Sequence, residues 1–205
     1  MTDSTPLRNP PDYTLDPDVV LLLEAKKGDR ASFEALLRKY FGRIFNFNYR
    51  FLGSREIAED LTQEVFLRVY RSLPSYQPQA KFQTWIYTIA RNLCLNEVRK
   101  NKQRFFSLED ALESQDGEIK GQFGDPSAAN PSEELQGKEQ GILIRQAVDS
   151  LPENQRTAVI LQRYEGLSYD EIAATLGCSV PAVKSLLNRA KESLRTKLAG
   201  VRKKD

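Results

Sequence analysis

The side chains best suited to chemistry lie near the C-terminal end, and the chemistry that they fit is contact with nucleic acid. Lysine and arginine bind phosphate oxygens, whereas serine and asparagine can pair with base edges. Four such residues follow one another at helical spacing: Lys184, Ser185, Asn188 and Arg189. We expect them to share the exposed face of a helix that could enter a DNA groove.

The sequence contains few of the residues that usually carry out catalysis. The 205 residues include no histidine, which is the commonest general base and metal ligand in proteins. The two cysteines, Cys94 and Cys178, are far apart and form no CxxC pair, which is typical of free thiols in a cytoplasmic chain. With no P-loop and no metal-ligand cluster, we expect no enzyme activity, no metal and no cofactor. A redox enzyme acting through the two cysteines is the weakest alternative.

A helix-turn-helix is predicted around the four polar residues. Ser168 and Glu171 have the spacing of a capping box, in which each side chain satisfies a backbone N–H at the start of a helix. Gly177 ends this short helix, because glycine adopts the left-handed conformation without strain. Ser179 or Val180 then caps the second helix.

Two further residues suit this motif. Ala173 is small where the two helices would cross, and Val183 is apolar where it would pack between them. A solvated basic helix would be the ordinary explanation of the charged face. The capping box, the turn glycine and the small crossing residue occur in register, and together they favour DNA recognition.

The charge pattern points the same way, although the net charge is only +2. Residues 81–106 contain six basic side chains and one acidic one, and residues 177–205 contain eight and two. Between them, residues 107–137 contain eight acidic side chains and one basic one, together with four glycines and two prolines. We predict a flexible acidic linker at 107–137 and a disordered tail at 1–17.

The remaining segments are predicted to be helical. Apolar residues recur at about every fourth position in 54–73 and at helical spacing in 82–100, and Asp29 is suited to be the N-cap of another helix. No paired alternating segments indicate a hairpin. The predicted fold is all-α, with two small helical domains, 18–106 and 138–205.

Nothing in the sequence predicts export or membrane insertion. The N-terminus has no basic segment followed by an apolar run, and no apolar stretch approaches the roughly 20 residues that a membrane helix needs. We therefore expect a cytoplasmic protein with no integral membrane segment.

Several motifs, in order, resemble the bacterial RNA polymerase sigma factors of the extracytoplasmic function (ECF) subfamily, which keep only sigma regions 2 and 4. The matching segments are Ala58–Phe66, Phe82–Asn92, Ser150–Pro152, Gly166–Ala173 and Val183–Ser185. The resemblance implies that 18–106 is region 2 and that 138–205 is region 4. It also implies a factor that binds core RNA polymerase and directs promoter-specific initiation, in a stress or envelope response under the control of an anti-sigma factor.

The resemblance assigns roles to particular residues. Docking on the β′ subunit of the polymerase, whose core also includes the β subunit, would use Asp60, Gln63 and Glu64. Region 2 would bind and melt the −10 element, with candidates at Tyr76, Lys81, Asn96, Arg99 and Lys100, and Arg91 would meet the backbone of the opened strand. Tyr76 and Asn96 would hold a flipped base, whereas Trp85 more simply belongs to the core.

Region 4 would bind the −35 element through the helix-turn-helix 169–188. Its candidates are Tyr169, Pro181, Ala182, Lys184, Ser185, Asn188 and Arg189. Pro181 and Ala182 stand where family members commonly have Gly-Thr, and Leu186 and Asn188 replace residues that are often basic or aromatic. The usual −35 sequence is therefore not assumed for this chain.

Two alternatives stay open at this point. A stand-alone helix-turn-helix regulator would also read duplex DNA, but it has no need of the Asp60–Glu64 face or of the basic segment before the linker. The acidic linker either imitates nucleic acid in the basic channel of the polymerase or is a plain solubilising tether.

Overall fold

The structure, a computed structural model, describes residues 12–112, 141 and 143–199. These residues form α-helices and two 3-10 turns, Tyr13–Leu15 and Leu73–Ser75, and contain no β-strand. The α-helices are α1 (Pro17–Lys26), α2 (Arg30–Leu52), α3 (Arg55–Ser72), α4 (Phe82–Leu112), α5 (143–149), α6 (Glu153–Arg163), α7 (Tyr169–Leu176) and α8 (Val180–Leu198). The predicted all-α class is confirmed for this part of the chain.

The predicted helix ends are also found. The Asp29 carboxylate accepts the Ala31 N–H at the start of α2, and Ser168 and Glu171 form the complete capping box of α7. Gly177 ends α7 in the left-handed conformation, with φ of 65°. Of the two candidates for the cap of α8, Ser179 supplies it, because its hydroxyl accepts the Ala182 N–H.

The N-terminal bundle, α1–α4, is built around α2, which packs against the other three helices. Its core is aromatic. Phe82 meets Tyr40 edge to face at 5.0 Å between ring centroids, and Tyr87 meets Phe47 in the same way at 5.5 Å. All four of these side chains are almost completely buried. Such interlocking rings fix the spacing of α2 and α4.

The C-terminal unit, α5–α8, is smaller and has an aliphatic core. Helix α8 packs across α6 and α7. Ala173 and Val183 are both buried at this crossing, as predicted from their size and position. Ile160 and Ile172, which are fully buried, complete the contact between the helices.

Two boundaries differ from those predicted. Helix α4 continues to Leu112, so residues 107–112 of the predicted linker are helical; the remainder of that linker, from residue 113 to 137, lies outside the described residues. At the other end, the predicted tail contains the 3-10 turn Tyr13–Leu15. Asp16 then caps α1 by accepting hydrogen bonds from the N–H groups of Asp18 and Val19. These local hydrogen bonds order the end of a segment whose polar composition predicted disorder.

The two units lie in contact. Helix α4 packs against α7, and α2 packs against α6, so the buried apolar side chains form one continuous cluster. No helix in the described ranges is both long and apolar enough to cross a membrane.

Candidate nucleic-acid interface

The second helix of the helix-turn-helix presents a polar face to solvent. Lys184, Ser185, Asn188 and Arg189 are all exposed on α8, while Val183 anchors the opposite side. Earlier on the motif, Pro181 is exposed, Ala182 is half-buried and Tyr169 is 38% exposed at the start of α7. Six of the seven predicted −35 candidates therefore lie on α8, and all seven except Ala182 are exposed.

A second polar face runs along α4. Trp85 is half-buried, and a line of exposed side chains at intervals of seven, four, three and four residues follows it: Asn92, Asn96, Arg99 and Gln103. At 1.5 Å per residue this stripe is about 27 Å long. An aromatic ring followed by amides and a cation is the combination that holds single-stranded nucleic acid, by stacking and by phosphate contact.

Asn92 was not among the predicted residues. Its signal in the sequence is the spacing of four residues to Asn96, which places both amides on one face of a helix. Lys100, a predicted candidate, borders the same stripe and lies 3.8 Å from a Glu97 carboxylate oxygen.

Tyr76 is the predicted residue whose environment differs most from the prediction. Its ring packs on Trp85 at 4.9 Å, and its hydroxyl is buried without a hydrogen-bond partner in the described part of the chain. Burial, with a contribution from the Asp16 carboxylate, raises the pKa of Tyr76 to about 12. Lys26 Nζ donates to the Tyr76 carbonyl at 2.8 Å and ties this loop to α1.

Tyr76 and Asn96 lie at different points beside α4. Tyr76 packs against Trp85, and Asn96 lies 11 residues beyond Trp85, a rise of about 16 Å along the helix axis. The joint role of Tyr76 and Asn96 in holding a flipped base stays a prediction.

Lys81 is engaged by the other unit. Its Nζ donates to Glu171 Oε1 at 2.9 Å, and this contact raises the pKa of Lys81. Burial alone would raise the pKa of Glu171, but the hydrogen bonds from Lys81 and Ser168 outweigh it and lower that pKa. A predicted DNA-binding cation is thus paired with the capping residue of α7.

The predicted polymerase-docking residues lie on the outer face of α3. Asp60 and Gln63 are exposed, while Glu64 is half-buried and accepts from Arg68 Nε at 2.7 Å, which lowers the pKa of Glu64. Leu67 and Tyr70 continue this face, each seven residues after a predicted docking residue, and are 47% and 60% exposed.

Exposed apolar groups beside charged ones are typical of a protein-binding surface. The signal that could have identified Leu67 and Tyr70 is this interval of seven residues, the repeat of helices that pack on other helices.

Family models match both units. The model of sigma-70 region 2 matches residues 36–104, and that of sigma-70 region 4 matches residues 142–194. Together they span more than half of the chain. The chain belongs to the ECF family of RNA polymerase sigma factors.

Curated relatives support this family assignment. The chain is 39% identical over 176 residues to the ECF RNA polymerase sigma factor SigE of Mycolicibacterium smegmatis, and the match covers 84% of the chain and 65% of the relative. It is 34% identical over 182 residues to the ECF RNA polymerase sigma-E factor of Escherichia coli K12, covering 88% of the chain and 94% of the relative. The chain thus spans slightly less than two thirds of the first relative and nearly all of the second.

A solved structure supports the arrangement of helices in the sigma factor. The match is to the sigma factor RpoE of Bartonella quintana, determined in complex with the anti-sigma factor NepR. The TM-score is 0.61 at 25% identity, and the match covers 82% of this chain and 96% of the other.

Cys94 of the sigma factor is poorly placed for redox chemistry. The Cys94 thiol is buried and donates to Asn48 Oδ1 at 3.2 Å, and burial raises its pKa. The reactive thiolate is therefore suppressed at neutral pH. The described residues contain no group of three or more side chains suited to hold a metal ion.

Proposed function

We propose that this sigma factor docks on core RNA polymerase through the outer face of α3 and contacts promoter DNA through two separate helices, α4 and α8. The observation that carries the proposal is the placement of the three surfaces. The α3 face is exposed, the polar stripe of α4 lies on another helix of the same bundle, and the polar face of α8 lies on the other unit.

The docking surface combines charge with apolar area. Asp60, Gln63 and Glu64 would pair with basic and polar groups of the β′ subunit, whereas Leu67 and Tyr70 would be desolvated on contact. Buried aromatic groups contribute most of the energy in such interfaces, and charges mainly set specificity and the rate of association.

The two DNA surfaces differ in chemistry. Lys184 and Arg189 would bind phosphates of duplex DNA, and Asn188 and Ser185 would meet base edges. Along α4, Trp85, Asn92 and Asn96 would contact the opened strand, with Arg99 and Lys100 on its phosphates. The first surface suits the −35 element and the second suits the melted −10 element.

The docking assignment is tested by reversing charge on α3. The double variant Asp60→Lys/Glu64→Lys should lose binding to core polymerase in a pull-down while keeping its helical circular dichroism. Glu34→Lys, an exposed carboxylate on α2 that is likewise paired with an arginine, is the control and should bind normally. Unchanged affinity of the double variant would refute the assignment.

The −35 assignment is tested on α8. Lys184→Ala/Arg189→Ala should keep the affinity for core polymerase but reduce run-off transcription from a promoter that depends on its −35 element. Tight, sequence-specific binding of the wild-type chain to duplex DNA without polymerase would instead favour a stand-alone regulator.

We also propose regulation by an anti-sigma factor, supported by the likeness to the Bartonella sigma factor determined with such a partner. A purified anti-sigma protein should reduce run-off transcription, and an excess of the sigma factor should restore it. If the candidate binds but does not compete with core polymerase, control at this step is excluded for that protein.

A further inference from the structure

The loop between α6 and α7 inserts a carboxylate into the N-terminal bundle. The Glu165 side chain is only 4% exposed, although glutamate is rarely buried. It accepts a hydrogen bond from the Tyr87 hydroxyl and lies 3.4 Å from Arg43 Nε, and Arg43 Nη2 also donates to the Glu165 carbonyl at 3.0 Å. Every partner that the described residues give to this carboxylate belongs to the N-terminal bundle.

Arginine side chains make further contacts between the two units near the buried Glu165 carboxylate. The Arg50 guanidinium lies over the Tyr164 ring, 4.3 Å from its centroid. From the C-terminal unit, Arg156 Nη1 donates to the Phe51 carbonyl at 3.0 Å and Arg145 Nη2 donates to the Tyr49 carbonyl at 3.2 Å. Both carbonyls lie in the last turn of α2, which carries partial negative charge, and the Tyr49 carbonyl also accepts the N–H of Gly53, the C-cap residue. The C-terminal unit therefore adds arginine donors to the end of α2.

The same contact pairs two cations that the sequence resemblance assigns to DNA binding. Lys81 Nζ is bound by Glu171, and Arg91 Nη2 donates to Asn154 Oδ1 at 2.8 Å. By contrast, Lys184, Asn188 and Arg189 of α8 remain exposed. The contact between the units thus engages Lys81, just before α4, and Arg91 on α4, while it leaves the polar stripe of α4 and the α8 surface exposed.

We propose that Tyr164 and Glu165 form an intramolecular latch that holds the sigma factor in a closed state, with Arg43, Arg50 and Tyr87 as its receptor. A buried carboxylate is stable only while its donors surround it, so weakening those donors favours separation of the units. When the latch opens, Glu165 becomes hydrated, and Lys81 and Arg91 lose their partners in the C-terminal unit and can meet DNA.

The test measures the separation of the units directly. Nitroxide labels at Ala35→Cys and Asn188→Cys, in a Cys178→Ser background, report the distance between the units by pulsed electron paramagnetic resonance. Both positions are exposed, and Cys94 is buried. The parent should give one short, narrow distance population. Glu165→Gln and Tyr87→Phe should each increase the ratio of long to short distances by roughly tenfold, the effect of losing one charge-assisted hydrogen bond.

Controls separate opening from unfolding. Tyr87→Phe keeps the ring that packs on Phe47, and Glu192→Gln removes one charge from an exposed position of α8, so the latter should leave the distances unchanged. Circular dichroism should be the same for all variants. An unchanged distance distribution in both Glu165→Gln and Tyr87→Phe would overturn the latch.

A second measurement follows Lys81 itself. Opening should raise the acylation of Lys81 several-fold relative to exposed Lys184, quantified by mass spectrometry, and no change in this ratio would contradict the proposal. The latch rests on the proposed function only for the meaning of the two engaged cations, Lys81 and Arg91. Because both measurements use the chain without polymerase or DNA, failure of the latch is distinguishable from failure of the function.

Discussion

The N-terminal bundle and the C-terminal unit bury different kinds of side chain. In the bundle, Tyr40, Phe47 and Phe82 are buried and their rings interlock with neighbours. In residues 143–199, the buried apolar side chains are alanine, leucine, isoleucine and valine, and the two tyrosines are largely exposed. A unit of this size buries little apolar area, so its helix caps and its contact with the bundle contribute a larger share of its stability.

This difference fits the two tasks proposed for the units. The core of the bundle holds the proposed docking face of α3 and the polar stripe of α4 on packed helices. The C-terminal unit is a short helix-turn-helix, which the capping box of Ser168 and Glu171 and the left-handed Gly177 shape locally. The N-terminal bundle and the smaller C-terminal unit are joined through the interface around Glu165.

The largest expected effect is on the aromatic core. Phe47→Ala should lower the free energy of unfolding of the bundle by about 3–5 kcal/mol, because it removes a buried ring and leaves a cavity between α2 and α4. Denaturant unfolding followed by the fluorescence of Trp85, the single tryptophan, measures this change. Leu15→Ala, at a position that is 81% exposed, is the control and should shift the transition little.

A smaller effect is expected from the aliphatic core. Ile172→Ala should destabilise the C-terminal unit by about 2–4 kcal/mol. Hydrogen exchange should then increase in peptides from α6–α8, while the fluorescence transition of Trp85 moves less. If Trp85 and the α6–α8 peptides shifted equally, the two units would be one cooperative body and the contrast drawn between them would fail.

Two glycine-to-alanine variants, one in each unit, should change the free energy of unfolding in opposite directions. Gly177→Ala places a side chain at φ of 65° and should cost about 1 kcal/mol. Gly42 lies inside α2, and a Cβ there would meet no atom within 4 Å, so Gly42→Ala should stabilise the bundle by about 0.5–1 kcal/mol. Thermal unfolding of the two variants measures both changes, and a stabilising Gly177→Ala would contradict the structure of the turn.

The smallest expected effect is the pH dependence of the contact between Lys81 and Glu171. The pKa of Glu171 is lowered, so its contribution is present above its ordinary value of 4.5 and is lost as pH falls through the lowered pKa. The pKa of Lys81 is raised, so its contribution is present below 10.5 and is lost as pH rises through the raised pKa. The closed state should be favoured between these limits.

The pH effect should be small because half of the Lys81 side chain is exposed. The nitroxide distances at neutral and acidic pH measure it. Glu171→Gln is the matched control, since glutamine preserves the capping box but does not titrate. An equal response to acid in the parent and in Glu171→Gln would show that the response comes from other groups.

The sequence was informative where structure depends on neighbours along the chain. The capping box of Ser168, the turn at Gly177 and the buried positions of Ala173 and Val183 were all predicted, because helix ends and turns are set by a few adjacent residues. The boundary of α4 was missed, since helical propagation beyond Arg104 is not apparent from an acidic, glycine-containing segment.

Positions that depend on distant residues could not be predicted. The packing of Tyr76 on Trp85 is one example, because the loop that carries Tyr76 folds onto α4 through a contact that no local pattern shows. The burial of Glu165 between Tyr87 and Arg43 likewise joins residues about 80 and 120 positions apart, and no local pattern encodes it.

The sequence by itself determined the all-α class, the helix-turn-helix and the family, because periodicity, caps and ordered motifs are local properties of the chain. Only the tertiary structure decided which of the candidate surfaces are accessible. The polar faces of α3 and α8 are open, whereas Lys81 and Arg91 are held by the C-terminal unit. The physical reason is that a charged side chain binds whichever partner the fold brings within hydrogen-bond distance, and that partner is set by long-range packing.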